Sequence, residues 1–207
     1  MKTQNKFDTL ETSATFIGML KNENELSWSV FYRNYSKLIL NFALKRGCSR
    51  ELAEDVLQET VMSLFRYLRG FDYDKKKGKF RSLLFKITES KVVDAFRKNK
   101  ISTVFDEKQL SNKSNEEMPH AGSIANIEKL WDQAWDEELV EKAVEEARMR
   151  VKPKTFECFK KVFIEGQSVS DAANEMGIPA NLVSQHKYKV MNIVIDSAKK
   201  MRKFLGE

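Results

Sequence analysis

Glycine and proline are scarce in this chain of 207 residues, which contains only 8 and 3 of them. Apolar residues recur instead at spacings of three and four, a pattern typical of amphipathic helices. The sequence therefore predicts an all-α protein, and a hydrophobic content of 42% suffices for helical cores. No apolar run approaches the roughly 18 residues of a membrane span, and no signal-peptide pattern opens the chain. We expect an intracellular, cytoplasmic protein without a membrane partner.

Cysteine and histidine are also scarce, with two residues of each. Cys48 and Cys158 lie far apart without the spacing of metal ligands, so we expect buried free thiols in a reducing compartment. His120 falls in a polar segment and His186 in a helical one, and neither has a nucleophile beside it. The sequence therefore predicts no metal, no cofactor and no catalytic site. An enzyme that acts on nucleic acid through acidic residues is an alternative without converging groups to support it.

Charged residues are abundant, with 36 basic and 30 acidic side chains and a net charge of +6. This balance favours a polyanionic partner. Because the two signs are interspersed, local clusters of charge matter more than the total.

The stretch from Val169 to Val190 has the pattern of a helix-turn-helix. A first helix is predicted over residues 170–176, Gly177 supplies the positive φ of a tight turn, and Pro179 opens the second helix. Val183 and Val190 are seven residues apart and therefore face the first helix. Polar side chains that can read base edges or bind phosphates are left near the outer face. They are Asn181, Ser184, Gln185, Tyr188 and Lys189, and Lys187 is a further candidate for DNA binding on the same helix. The alternative is two packed helices with an ordinary turn.

Another helix is predicted from Ser49 to Gly70, apolar on one face and polar on the other. The polar face includes Glu54, Asp55, Gln58 and Glu59. Carboxylates on one exposed helical face do not converge on an ion, so a metal site is disfavoured. From the residues alone, the ordinary interpretation is a solvated face.

The loop over residues 71–79 combines aromatic rings with lysines. Cations can follow the phosphates of a single strand while rings stack on its bases. The alternative is a soluble loop whose Phe71 joins the core. A further helix, from Phe80 to Lys98, adds positive charge. The basic and aromatic set comprises Phe71, Tyr73, Lys75, Lys76, Lys77, Lys79, Arg81, Lys86 and Lys91.

Periodicity is lost over residues 102–126, which are rich in Ser, Asn, Glu and Lys. Such a composition indicates a flexible linker. The sequence therefore predicts two small helical domains, 1–101 and 127–207, with the helix-turn-helix in the second.

Several motifs resemble the sigma factors of the sigma-70 family, and in particular their extracytoplasmic-function (ECF) branch. The matching residues of the first conserved domain are Ala53-Glu54-Asp55 with Gln58, Phe71-Asp72, Phe80-Arg81 with Leu84, and Asp94 with Arg97. The helix-turn-helix and the segment before it look like the second conserved domain. The resemblance covers nearly the whole chain except the linker.

The resemblance implies a protein that binds core RNA polymerase and directs transcription initiation. By analogy, the face with Glu54, Asp55, Gln58 and Glu59 docks on the clamp helices of the largest polymerase subunit. The loop with the start of the next helix captures the melted −10 strand, and the recognition helix enters the major groove of the duplex −35 element. The second domain also contacts the flap of the other large subunit. An anti-sigma factor is a further partner of this family.

The sequence departs from the family pattern in three places. Leu83 stands where the family has Trp, Glu89-Ser90 stands where Arg-Asn is usual, and the recognition helix lacks the Arg often found near its middle. The alternative function is a stand-alone helix-turn-helix regulator that never binds polymerase. Such a regulator needs neither the polar face of Asp55 and Gln58 nor the basic loop.

Overall fold

The computed structural model describes residues 14–70, 79–107 and 124–204, and the regular structure in these ranges is entirely helical. The helices are α1 (Ala14–Lys21), α2 (Glu25–Lys45), α3 (Arg50–Gly70), α4 (Phe80–Glu107), α5 (Ile124–Arg150), α6 (Pro153–Phe159), α7 (Val169–Met176) and α8 (Ala180–Phe204). The prediction of an all-α fold is confirmed. Among these helices, none combines the length and the apolar character needed to span a membrane.

The chain clusters into two compact units, the first consisting mainly of residues 1–135 and the second mainly of residues 136–203. The boundary falls within α5, between Trp135 and Asp136. The division into domains 1–101 and 127–207 with a linker over 102–126 stays a prediction. Both ends of that linker are helical, because α4 continues to Glu107 and α5 begins at Ile124. No glycine or proline stands between Lys98 and Glu107 to end α4 where the sequence analysis placed its end.

The core of the first unit is formed by the apolar faces of α2, α3 and α4. Phe31, Ile39 and Phe42 of α2 are completely buried, as are Leu64 of α3 and Leu84 of α4. These are the faces that the spacing of apolar residues predicts. The polar side of α3 is consequently turned to the solvent.

Local signals fix the helix ends in the first unit. Asn24 caps α2, because its side chain accepts a hydrogen bond from the Ser27 backbone N–H at 3.1 Å. Ser27, which also has the character of an N-cap residue, lies inside the helix instead. Gly47 follows the end of α2 with φ 92°, a left-handed conformation that glycine adopts without steric cost. The Ser49 hydroxyl accepts from the Leu52 N–H at 3.2 Å and so starts α3.

The second unit contains the helix-turn-helix, formed by α7 and α8. Gly177 adopts φ 62° and ψ 39°, the left-handed conformation predicted for the turn. Val183 and Val190 are both completely buried, and Val183 packs beside Ala172 and Ala173 of α7 as predicted. The prediction that Val190 also faces α7 is wrong, because Val190 packs with Phe159 and with residues of α5. The helix-turn-helix prediction is confirmed.

The segment before α7 is not one continuous α-helix. Pro153 occupies the first turn of α6, where its missing N–H costs nothing. A π-helical turn over Lys160–Ile164 follows α6. Gly166, with φ 72°, then ends the helical path.

Candidate functional site

The four residues assigned to polymerase binding are exposed on α3. Glu54, Asp55, Gln58 and Glu59 all lie on its solvent side, because Ala53, Val56 and Leu57 occupy the core side. Glu54 has a neighbour in Arg50, whose Nε lies 3.3 Å from the Glu54 carboxylate. The prediction that these residues lie on the polar face of the helix is confirmed, and their role in polymerase binding stays a prediction.

An open groove of about 490 Å³ runs between α3 and α4 beside these residues. Asp55, Gln58 and Glu59 line one wall, and Lys91, Asp94 and Lys98 line the other. We call this the α3–α4 groove. The two walls carry charges of both signs, so the groove suits a partner with an equally mixed charge pattern.

Lys91 belongs to the α3–α4 groove in this structure. Its predicted place was with Arg81 and the basic loop, yet ten residues of α-helix separate Lys91 from Arg81 by about 15 Å along the helix axis. The Lys91 ammonium also lies 3.6 Å from the Asp94 carboxylate. Lys91 is therefore placed beside the residues assigned to polymerase binding.

The residues assigned to the −10 strand are described only in part. Phe71, Tyr73, Lys75, Lys76 and Lys77 lie outside the described residues. Lys79 precedes α4 and Lys86 lies on it, and both are exposed as predicted.

Arg81 contacts two residues in the first half of α5. Its Nη2 donates a hydrogen bond of 2.6 Å to Asp132, and its guanidinium carbon lies 4.6 Å from the centroid of the Trp135 ring. An ion pair and a cation–π contact therefore hold a side chain that the sequence analysis assigned to DNA. Its side chain is 18% exposed.

Two tryptophans of α5 complete this contact within the first unit. The Trp131 ring lies 5.1 Å from that of Phe42 and 5.6 Å from that of Phe85, while the Trp135 ring lies 6.3 Å from that of Tyr35. The spacing of four residues between Trp131 and Trp135 indicates a shared helix face. The sequence gives no signal that their partners lie on α2 and α4.

Glu89, one of the departures from the family pattern, has a structural partner in Arg46. Arg46 Nη2 donates to Glu89 Oε1 at 2.8 Å and its Nε donates to Oε2 at 3.1 Å, which is a two-pronged pair. Arg46 is 5% exposed. The carboxylate at position 89 thus neutralises a buried cation of α2.

The side chains assigned to the −35 element lie on α8, and four of the six face away from its buried side. Asn181, Gln185, Tyr188 and Lys189 are exposed, whereas Ser184 and Lys187 are half-buried. Lys187 Nζ lies 4.7 Å from the centroid of the Tyr188 ring. The spacing of three and four residues aligns the exposed side chains along one face.

Ion pairs attach α7 to the segment before it. Lys161 donates to Glu175 at 2.7 Å, and the Gln167 amide donates to the other carboxylate oxygen at 3.1 Å. The hydrogen bond from Lys161 lowers the pKa of the Glu175 carboxyl below its ordinary value. These contacts help to position the helix that supports α8.

One cluster that the sequence did not predict lies inside the helix-turn-helix. Cys158 Sγ is 3.5 Å from His186 Nδ1 and 3.8 Å from Met176 Sδ, although 28 residues separate the cysteine from the histidine. Burial raises the pKa of the Cys158 thiol. Cys158 and His186, which the sequence analysis treated as isolated residues, are therefore neighbours.

The comparisons with known proteins identify one family. Residues 31–101 match the family model of sigma-70 region 2, which covers most of α2, all of α3 and most of α4. The comparison with curated proteins finds no match.

The comparison with solved structures finds two weakly similar chains, among others. The RsbN–BldN complex contains a chain that is 17% identical, with a TM-score of 0.34, and the alignment covers 87% of this chain and 97% of that one. CnrH in complex with the cytosolic domain of CnrY gives 16% identity and a TM-score of 0.37, with 90% and 96% covered. Neither likeness is close enough to assign functional residues.

Proposed function

We propose that the chain is an ECF-type sigma factor of the sigma-70 family that binds core RNA polymerase and directs promoter recognition and −10 melting, because residues 31–101 match the family model of sigma-70 region 2. The observation that supports this proposal best is a sigma-70 region 2 at residues 31–101, followed along the chain by a helix-turn-helix at α7 and α8. A stand-alone regulator needs only the second of these. The protein acts in the cytoplasm, where core polymerase is found.

Transcription in vitro tests the proposal directly. Core RNA polymerase and a library of genomic promoter fragments should yield transcripts from a defined subset of promoters only when this protein is present. Sequencing those transcripts gives the −10 and −35 preferences together. Duplex binding without any polymerase-dependent transcript would instead favour the stand-alone regulator.

The polar face of α3 and the α3–α4 groove are the proposed docking surface for the clamp helices. Asp55, Gln58 and Glu59 are exposed and lie beside Lys91 and Lys98, so both signs of charge are available within one groove. Complementary charges guide association and fix the register of two helical surfaces. An exposed polar helix face contributes little to the fold, which leaves its residues available for a partner.

Replacing Asp55 and Gln58 with alanine together should weaken binding to core polymerase by about tenfold, or about 1.4 kcal/mol. The fold should be unaffected because both side chains are exposed. Competition for core polymerase, with the circular dichroism spectrum as a fold check, measures this. Glu128→Ala with Gln133→Ala is the matched control, since it removes an exposed acid and an exposed amide from α5. If the double variant and the control bind core polymerase equally well, the docking surface lies elsewhere.

The proposed −10 surface consists of the basic and aromatic loop with the exposed Lys79 and Lys86 at the start of α4. Melting requires a base to leave the stack, which costs a few kcal/mol, and stacking with cationic contacts offsets that cost. Lys79 and Lys86 are exposed and can contact phosphates. Arg81 can join them only if it leaves Asp132 and Trp135.

The proposed −35 surface is the outer face of α8. Asn181 and Gln185 are one helical turn apart and exposed, and their amides match the donor and acceptor pattern of adenine in the major groove. Lys187 and Lys189 supply charge for phosphates. The second domain is also proposed to contact the polymerase flap, and an anti-sigma factor is a further proposed partner of the chain.

Replacing Gln185 or Asn181 with alanine should change the preference among −35 variants by about 1–3 kcal/mol at one base position. Binding to a panel of duplex −35 sequences at fixed salt measures this. Asn174→Ala is the control, because it removes an exposed amide from α7, outside the recognition helix. A uniform loss of affinity across the panel would indicate that these amides contact the DNA backbone and not the bases.

A further inference from the structure

We infer that Cys158, Met176 and His186 form a binding site for a soft monovalent metal ion of the Cu(I) class. The three residues come from α6, α7 and α8 and meet around one sulfur atom. Sγ of Cys158 lies 3.5 Å from Nδ1 of His186 and 3.8 Å from Sδ of Met176. Thiolate, thioether and imidazole together are the ligands that Cu(I) favours among biological metals.

The separations match those of atoms that share a metal ion. With bonds of about 2.3 Å to sulfur and about 2.0 Å to nitrogen, and angles of roughly 110–120°, ligand sulfur and nitrogen lie about 3.5–3.7 Å apart. Two ligand sulfurs lie about 3.8–4.0 Å apart under the same conditions. The two observed distances fall at the short end of these ranges.

The surroundings favour a single positive charge. Cys158 packs against the buried Ala172, Ala173 and Val183, so the floor of the site is apolar. A Cu⁺ ion with the Cys158 thiolate has no net charge, whereas Zn²⁺ would leave one uncompensated charge, which apolar surroundings disfavour. Among the described residues, no group of three His, Cys, Asp or Glu assembles to offer Zn²⁺ more anionic ligands.

The Cys158 thiol has one proton to donate but several possible hydrogen-bond acceptors around it. Besides His186 and Met176, the Lys154 carbonyl oxygen lies 3.3 Å from Sγ. One S–H proton can serve only one of them at a time. Binding exchanges that proton for the metal ion, so that Cys–SH and Cu⁺ give Cys–S–Cu and a proton released to the buffer. The oxidation states of sulfur and metal do not change.

Met176 and His186 also give the ion a route into the site. Cys158 is completely buried, whereas Met176 and His186 are each half-buried. The thiol thus forms the floor and the other two ligands form the rim. A bound ion would connect α6, α7 and the recognition helix.

The test titrates the purified full chain with Cu⁺ under anaerobic conditions, buffered by a competing chelator, and repeats the titration with Ag⁺. The parent is Cys48→Ser, so that Cys158 is the only thiol present. We expect one equivalent to bind, the melting temperature to rise on binding, and Zn²⁺ to bind at least about 100-fold more weakly. Zn²⁺ binding as tightly as Cu⁺ would overturn the inference.

Three variants identify the ligands. Cys158→Ser in the same background should abolish binding, and Met176→Leu and His186→Gln should each weaken it by about 10–100-fold. Met191→Leu is the matched control, as it alters another half-buried methionine of the second unit and should bind as the parent does. Parent-like binding by both Met176→Leu and His186→Gln would show that the thiol acts alone and would refute the site. These two variants decide the question even if Cys158→Ser does not fold.

Discussion

Glu89→Arg, which installs the residue usual in the sigma-70 family, is expected to destabilise the first unit by about 3–5 kcal/mol. Arg46 is 5% exposed and bonds both carboxylate oxygens of Glu89, at 2.8 and 3.1 Å. The substitution leaves that buried guanidinium without its counter-charge and places a second one beside it. Urea denaturation followed by circular dichroism measures the change in the free energy of unfolding.

Two further variants make this prediction specific. Ser90→Asn introduces the other family residue at an exposed neighbouring position and should change the unfolding free energy by less than about 0.5 kcal/mol. Exchanging the two residues, as Arg46→Glu with Glu89→Arg, should recover part of the unfolding free energy that Glu89→Arg alone loses. A Glu89→Arg protein as stable as the parent would mean that Arg46 finds another anion or reaches water.

Trp131→Ala should cost about 3–5 kcal/mol of unfolding free energy, since it removes a large ring from a packed site. Trp131 is 3% exposed, and its ring meets that of Phe42 edge-on at 5.1 Å. Without the ring, the start of α5 loses its main attachment to α2 and α4. Urea denaturation measures the loss, and proteolysis should cut more readily near the start of α5.

Trp131→Phe is the matched variant for this test. The indole Nε1 is buried and finds no hydrogen-bond partner in the described part of the chain. Phenylalanine keeps most of the apolar ring and removes that unsatisfied donor, so its cost should be well under half that of alanine. Equal losses for alanine and phenylalanine would contradict a role based on apolar packing.

Local patterns explain what the sequence could predict. Gly177, Pro179 and the pair Val183 and Val190 lie within one short stretch, so the helix-turn-helix followed from backbone preferences and helical spacing alone. The exposed face of α3 followed in the same way from the position of its apolar residues. Where two similar capping residues lie close together, the sequence does not decide which of them begins the helix. Asn24 and Ser27 are both good N-caps three residues apart, and only the fold decides between them.

Such local patterns could not predict contacts between residues that are distant in sequence. Arg81 and Asp132 are 51 positions apart, Arg46 and Glu89 are 43 apart, and Cys158 and His186 are 28 apart. Each pair depends on how helices pack, which the spacing of residues within one helix does not encode. Two of these contacts change the interpretation of a residue. Arg81 has an intramolecular partner, and Glu89 compensates a buried charge where the family has a cation.

Helix α8 joins the recognition residues to the basic tail without interruption, over 25 residues from Ala180 to Phe204. It is thus a single helical rod about 37 Å long, and each residue is rotated by about 100° about the helix axis relative to the one before it. Inserting one residue after Val190 would rotate Val194, Ser197 and Arg202 out of phase with their buried or ion-paired positions. Related chains can therefore lengthen or shorten this rod only by steps close to whole turns, of three, four or seven residues.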